Sequence, residues 1–383
     1  MKDKIGIFSF FAGAGFLDLG FEYTGYYETL FVNEIHAPFM SIYKHSRKAM
    51  GIAPPKYGHC VSDIASFLES DNLRELKDKV NAAKEEYKLV GFIGGPPCPD
   101  FSVAGKNRGK EGENGKLSET YINLICKIQP DFFLFENVKG LYRTKKHRAF
   151  FEDIKAKLQK ANYFLTEELI NAIEFGAPQD RERIILIGFH KSVVKKYNFK
   201  VEKGLLTNFQ WNKNKKFSLR DIQQKNWPQI TAYSENSEVS KPHNIISELT
   251  VQYWFDKNNV ENHHNKDKFF TPRNGLQRFM EISEGDDKKK SYKRLHRWRY
   301  SPTAAYGNNE VHLHPYKPRR ISVAEALAIQ SLPKEYILPD DITLTNMFKA
   351  IGNGVPYVAA KGLALNIYDY IKQTKDYGKT DSK

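Results

Sequence analysis

Short apolar runs alternate with helical stretches through the first half of this chain, and that alternation restricts the fold more than any other feature. Ile5 to Phe11, Glu28 to Asn33, Lys88 to Ile93, Asp131 to Phe135 and Arg183 to Phe189 read as strands rich in Val, Ile and Phe. Leu17 to Tyr23, Glu119 to Ile128 and Phe150 to Ala161 read as helices. Strands alternating with helices imply a mostly parallel α/β sheet. From about Lys191 to Lys317 the alternation fades and polar residues, Lys and Asn dominate. Within that stretch Asn258 to Lys268 and Glu284 to Lys293 read as loops or mobile segments. Near Pro318 the α/β character returns. Ser322 is placed to cap a helix over Val323 to Gln330, with Glu325 at the capping-box position and Leu332-Pro333 as its stop. A last helix is expected from about Val355 to Ile371. The reading is therefore one α/β domain, 1–190 and 318–383, split by an irregular basic insert at 191–317.

The 383 residues carry a net charge of +14. Such an excess of Lys and Arg attracts polyanions, with nucleic acid the leading partner and a membrane surface the weaker one. Only three cysteines are present, Cys60, Cys98 and Cys126, with no C-x-x-C spacing. That argues against a disulfide framework and a thiolate zinc site, leaves no metal to be expected, and suits a reducing cytoplasm. The N-terminus shows no signal-peptide pattern, and no apolar run is long enough to span a bilayer.

Four local patterns carry chemistry. The first strand ends in Phe11-Ala12-Gly13-Ala14-Gly15, a glycine-rich turn that would let a cofactor approach the backbone and the next helix. Asp18 stands where a dinucleotide fingerprint needs its third glycine, which weakens a nicotinamide reading. Glu34 follows the second strand, roughly 20 residues on, where an acid can hold ribose hydroxyls; a tight turn with a surface Glu would account for the pattern about as well. Gly94-Gly95-Pro96-Pro97-Cys98-Pro99-Asp100-Phe101-Ser102 is sharper. Two prolines stiffen the backbone before a cysteine at the C-terminal end of a strand, where α/β enzymes place ligands. The stretch Val103 to Leu117 beyond it could be a lid or an ordinary solvated loop. Another strand ends in Glu136-Asn137-Val138, beside the Cys98 strand end. Last comes Gln179-Asp180-Arg181-Glu182-Arg183, where alternation puts Gln179, Arg181 and Arg183 on one side. Such arginines can clamp carboxylates, phosphates or base oxygens, or form a surface ladder with Glu182.

In this order the patterns resemble the cytosine-5 DNA methyltransferases over almost the whole chain apart from the insert. The family's cofactor loop corresponds to Phe11, Ala12, Gly13 and Gly15. Its ribose acid corresponds to Glu34, followed by Ile35, and its adenine-binding Asp to Asp63, followed by Ile64. Its Pro-Cys motif corresponds to Pro97-Cys98, its Glu-Asn-Val motif to Glu136 to Val138, and its Gln-x-Arg-x-Arg motif to Gln179, Arg181 and Arg183. The late motifs correspond to Arg320 to Leu332 and to Gly352-Asn353-Gly354-Val355-Pro356, with Asn353 and Val355 at the cofactor. Three positions depart from the family's pattern. Pro99 replaces a frequent Gln, Phe16 a frequent second Gly, and Gly354 a frequent Ser.

The resemblance implies a Rossmann-like class I S-adenosylmethionine-dependent methyltransferase fold with a smaller target-recognition domain inserted. It implies methyl transfer from S-adenosylmethionine to carbon 5 of a cytosine flipped out of double-stranded DNA. Cys98 would add to carbon 6, Glu136 would donate to ring nitrogen 3, and Arg181 and Arg183 would hold oxygen 2 and nearby phosphate or loop groups. Ser102 and Gln179, together with Arg294, Arg297 and Arg299 of the insert, would contact DNA. The insert also holds Lys288-Lys289-Lys290, Trp298 and Tyr300, basic and aromatic residues suited to phosphates and base edges. Further expectations are a cytoplasmic monomer of a restriction-modification system, sharing its site with a cognate endonuclease without forming a stable complex. A tRNA cytosine-5 methyltransferase and a catalytically silent DNA-binding relative are the alternatives. The long basic insert favours DNA over the first, and intact Cys98, Glu136, Arg181 and Arg183 argue against the second. An amino-group methyltransferase would need Pro-Pro followed by Tyr or Phe, whereas here Pro-Pro leads into Cys98.

Overall fold

The computed structural model describes residues 2–97, 113–272, 276–288, 292–304, 306 and 312–377. The first part runs β1 (Ile5–Phe10), α1 (Phe16–Glu22), β2 (Tyr27–Asn33), α2 (Ala37–Ala49), β3 (His59–Cys60), α3 (Ser70–Glu86), β4 (Val90–Gly94), α4 (Glu113–Ile128) and β5 (Phe132–Val138). It continues with α5 (Lys139–Arg143), α6 (Lys145–Lys160), β6 (Tyr163–Asn171) and β7 (Glu182–His190). The insert holds α7 (Lys191–Lys196), β8 (Val201–Glu202), β9 (Leu205–Leu206), α8 (Leu219–Gln223), α9 (Val251–Lys257), α10 (Leu276–Met280), β10 (Lys293–Arg294) and β11 (His312–Leu313). The chain closes with α11 (Val323–Ile329), α12 (Leu344–Asn353) and α13 (Tyr357–Tyr377).

The main sheet has the order β3-β2-β1-β4-β5-β7-β6-β9-β8. β1 pairs parallel with both β2 and β4, and β5 parallel with β4. β7 then runs antiparallel between β5 and β6. All six residues of β1 are buried, as expected for a central strand covered on both faces. Its side chains divide by parity. Ile5 and Ile7 join an apolar cluster with Phe21 of α1 and Leu363 of α13, whereas Phe8 and Phe10 join one with Leu76 of α3 and Ile125 of α4. A third cluster unites Phe16, Phe39 and Ile42 with Trp254 and Leu295 of the insert and Leu327 and Met347 of the C-terminal segment. The strand order reverses between β1 and β4, so the turn after β1 and the segment after β4 share the carboxyl edge where open α/β sheets bind ligands.

The expected helix stop and cap are present. The Ser322 hydroxyl accepts from the Glu325 amide at 3.2 Å, and the Glu325 carboxylate accepts from the Ser322 amide at 2.7 Å. Other expectations need correcting. β6 goes unread in the sequence because Glu167 and Glu168 interrupt its apolar run; Glu167 is paired with Arg148 and Lys155 at 2.9 and 2.8 Å. Asn258 to Lys268 forms turns and a short 3-10 turn, as the loop reading expects, but it is anchored to the core by two side chains. Asn258 donates to the Leu332 carbonyl at 2.8 Å, and fully buried Asn265 bonds both the carbonyl and the amide of Leu338. Nor does the chain leave the sheet at residue 191. β9 pairs with β6, and the Trp211 indole donates to Thr166 at 2.9 Å. Among the described residues no helix is long and apolar enough to cross a membrane.

Candidate active site

The turn after β1 is held in an unusual backbone shape. Phe11, Gly13 and Gly15 have φ of 52°, 58° and 80°, values that glycine adopts at little cost. A Cβ at Gly13 would meet no atom within 4 Å, so this glycine presents bare backbone to open space. The Gly13 amide donates to Glu34 at 2.8 Å, and the other oxygen of that carboxylate accepts from the His36 amide at 2.9 Å. Each oxygen keeps a second lone pair for further donors. Beside it Ile35, 61% exposed, offers an apolar surface. Asp63 caps a 3-10 turn through the Ala65 amide at 2.8 Å. Ile64 turns its side chain into the core, leaving only its backbone for a ligand. Backbone donors, an anchored carboxylate and an exposed apolar side chain fit a nucleoside-bearing methyl donor.

Two strands away, β5 delivers Glu136 to the same edge. The Arg183 Nε of neighbouring β7 lies 2.9 Å from its Oε1, and both side chains are largely buried. Gly95, just past β4, closes in from the other side. A Cβ there would lie 2.6 Å from Glu136 Oε2, so the backbone comes this close only because residue 95 has no side chain. Asn137 donates to the Pro96 carbonyl at 3.4 Å. Pro97 is exposed at the end of this segment. Cys98 and Ser102, with the lid reading as far as residue 112, lie outside the described residues, as do Lys289 and Lys290.

Arg181 and Gln179 do different work from Arg183. Arg181, 2% exposed, donates to the carbonyls of Ala304, Gly352 and Asn353 at 3.1, 3.0 and 3.4 Å. Burial and the neighbouring Arg183 pull its pKa well below the ordinary arginine value. Gln179, fully buried, donates to Gln330 at 3.3 Å and accepts from the Ala304 amide at 3.1 Å. The sequence pattern placed three side chains together; the structure brings only Arg183 to Glu136. The buried Gln179 amide is correspondingly a loop tie and not a surface DNA contact.

A family model for the C-5 cytosine-specific DNA methylases matches residues 5–369. The chain belongs to that family. The chain is 58% identical over 380 residues to the Type II methyltransferase M.NmeDI of Neisseria meningitidis serogroup C, covering 99% of this methylase and 87% of the relative. It is 28% identical over 384 residues to M.MthTI of Methanothermobacter thermautotrophicus, covering 95% and 97% of the two chains. Among solved structures, a prophage-encoded DNA modification methyltransferase of E. coli superposes with a TM-score of 0.65 at 21% identity, covering 96% of this chain and 99% of that one. The Spodoptera frugiperda DNMT2 structure gives 0.58 at 17%, covering 95% and 100%. These likenesses of fold agree with the class I methyltransferase sheet order. The methylase is an enzyme that methylates cytosine in DNA at carbon 5.

The insert's arginines correct an expectation. Arg294 is 0% exposed. Its guanidinium donates to the carbonyls of Ile282, His314, Lys317 and Phe279 and lies over the Tyr233 ring, 3.8 Å from its centroid. Burial lowers its pKa to about 10. Arg297 grips both oxygens of Glu284 at 2.9 Å and also donates to Ser237. Arg299 bonds Asp287 at 2.5 Å and the Gly285 carbonyl at 3.1 Å. Trp298 donates to the Val239 carbonyl at 2.8 Å, and Tyr300 packs edge-on to Trp227. The insert has little regular structure, so many of its carbonyls find no ladder partner and must be satisfied by side chains. Arginine, with five donors and no acceptor, fills that need. Arg294 and Arg297 therefore look like DNA contacts in the sequence and are buried among internal partners in the structure, whereas Arg299 is half-buried. Sequence reasoning passed over Gly95, Arg47, Tyr336 and the separate part played by Gln330. Of these Gly95 and Gln330 fell inside recognised motifs, Gly94 to Ser102 and Arg320 to Leu332, and Arg47 and Tyr336 fell inside none.

Proposed function

We propose that this methylase acts on a cytosine flipped out of a specific duplex DNA site, with S-adenosylmethionine as donor and Cys98 as the nucleophile. The donor supplies an electrophilic methyl group on a sulfonium. Phe11 to Gly15 would receive it, with Glu34 at the ribose, Asp63 and the Ile64 backbone at the adenine, Ile35 against the ring, and Pro97, Asn353 and Val355 closing the pocket. The Cys98 thiolate adds to carbon 6 of cytosine, and carbon 5 gains the nucleophilic character it lacks in the free base. Glu136 donates to nitrogen 3 as charge builds on the ring, and Arg183 both orients Glu136 and reaches toward oxygen 2. Carbon 5 would then take the methyl from the sulfonium, with S-adenosylhomocysteine as the leaving group, and would give its proton to a base as the bond from carbon 6 to Cys98 breaks and the thiolate departs. Arg181 supports this pocket through its carbonyl contacts rather than touching the base.

One observation carries the reading: the Arg183–Glu136 pair at 2.9 Å, with Gly95 packed on the same carboxylate two residues before Pro97-Cys98. The Type II naming of the relatives supports a place in a restriction-modification pair, in which a monomer in the cytoplasm marks sites that a separate endonuclease would cut. The insert's exposed surface, not Arg294, Arg297 or Arg299, would read the site. Bisulfite sequencing of DNA from cells expressing the gene should show one methylated cytosine context. Cys98→Ser should abolish that mark while cofactor binding by the purified protein persists, and Glu136→Gln should slow a single turnover by about 100-fold or more. Substantial methylation by the Cys98→Ser protein would sink the nucleophile assignment.

A further inference from the structure

Behind the turn that follows β1 lies a buried polar cluster. Arg47, near the end of α2, is 4% exposed. Its guanidinium donates to the carbonyl oxygen of Gly15 at 2.6 Å and of Ala14 at 3.4 Å. It stacks over Tyr43, 4.1 Å from the ring centroid, and pairs with Glu22 at 3.3 Å. Tyr336, fully buried between α11 and α12, donates its hydroxyl to the same Ala14 carbonyl at 2.6 Å. Asp18 completes the group. One of its oxygens accepts from Ser9 at 2.8 Å, and burial pushes its carboxyl up to about 6 despite the pull of Arg47.

A buried charge of this kind adds little to stability compared with a well-packed apolar side chain. What an apolar side chain cannot do is hold two consecutive carbonyls. Peptide groups are planar, with N–H and C=O on opposite sides. Fixing the Ala14 and Gly15 carbonyls toward α2 therefore fixes the directions of the Gly15 and Phe16 amides. The turn has no slack on that side, since a Cβ at Gly15 would fall 2.4 Å from the Tyr43 ring and 2.7 Å from Arg47 Nη1.

We propose that Arg47, assisted by Tyr336, is a positioning residue for the methyl donor, holding the Ala12–Gly15 turn from behind in the shape that receives S-adenosylmethionine. This rests on the assignment of that turn to the donor. Tyr336 belongs to the segment that returns after the insert, so the turn is fully held only once that segment has docked.

The test measures S-adenosylhomocysteine affinity of the full-length protein by calorimetry without DNA, beside duplex affinity and thermal melting. Arg47→Met should weaken the nucleoside by about tenfold, the loss of charge-assisted hydrogen bonds. Its KM for S-adenosylmethionine should rise in step while kcat at saturation and duplex affinity stay within about twofold. Arg47→Lys should recover part of the loss, since an ammonium lacks the planar fork. Tyr336→Phe should cost roughly threefold, and it decides the matter if Arg47→Met does not fold. A wild-type protein that failed to bind the nucleoside would overturn the assignment of the turn. Wild-type binding matched by folded Arg47→Met, or by Tyr336→Phe where the former is unfolded, would overturn the inference, as would equal losses of nucleoside and duplex affinity.

Discussion

Phe16 and Gly354 each depart from the family's pattern, and in three dimensions the two departures are one. A Cβ on Gly354 would fall 2.1 Å from the Phe16 ring. The ring fills the space that a serine at 354 would use, and it also meets Tyr336 edge-on at 5.3 Å. Gly354→Ser should destabilise the protein by about 1–3 kcal/mol through overpacking. In a Phe16→Ala background the same serine should cost almost nothing, because its space has been vacated. Chemical denaturation of the four proteins of this cycle checks the coupling, and equal costs in both backgrounds would refute it. At this scale the sequence disclosed which positions were unusual but not that they touch. They stand 338 residues apart, and neither carries a charge or a motif that would announce the contact.

Elements show a different balance. β1, β2, β4, β5 and β7 were legible because a buried central strand leaves an unbroken apolar run. α11 was legible because its cap is written in Ser322 and Glu325. The carboxyl end of α12 was not. The Gly354 amide caps Ile351 locally at 3.2 Å, but the remaining bonds to the last carbonyls, from Arg181 at Gly352 and Asn353 and from Gln330 at Ile351, come from donors in distant parts of the chain. The insert's arginines were misread for the same reason. Each is bound to partners 12 or more residues away, so the burial of Arg294 and Arg297 and the pairing of half-buried Arg299 cannot be inferred from neighbours in sequence. Arg297→Met should therefore lower stability by about 3–5 kcal/mol, because it strands the buried Glu284 carboxylate. The companion Glu284→Gln, which leaves a neutral acceptor, should cost less. If Arg297→Met melts like wild type yet relaxes site choice in a methylation-protection assay, the arginine reads DNA after all.

Over the whole molecule, three histidines set an acid limit. His296, His312 and His314 are almost wholly buried within the second half of the chain. Burial pulls His296 down to about 4 and His312 to about 3, with Lys293 adding to the effect at His312. It holds His314 well below the ordinary value, helped by Arg319, Lys317 and Arg294, although Glu325 stands 3.5 Å from its ring. Neither nitrogen of His312 has a hydrogen-bond partner among the described residues. The unfolded chain takes up these protons near pH 6.5 and the folded one does not. Stability is thus full above pH 6.5 and falls as pH drops toward 4, by roughly 1–2 kcal/mol per histidine at pH 5. Melting curves from pH 7.5 to 5 should show this decline, and His312→Phe should flatten it. A melting temperature constant across that range would contradict the account.

The main sheet does not end where the basic composition begins. β8 and β9 extend its edge, Trp211 is tied to β6, and the Trp211 carbonyl accepts from Asn366 of α13 at 2.9 Å. This has a consequence for inheritance. A recombination that exchanged everything between residues 191 and 317 would carry away the margin of the main sheet along with the rest of the insert, and the recipient's α13 would lose the carbonyl that Asn366 holds. A crossover placed beyond Asn214, which itself donates to Asn366 at 2.8 Å, leaves that seam whole. On the proposed reading of the insert as the recognition surface, an exchange whose breakpoint falls past the seam would change specificity and keep the sheet whole, whereas one that breaks within it would leave that surface without a sound sheet to support it.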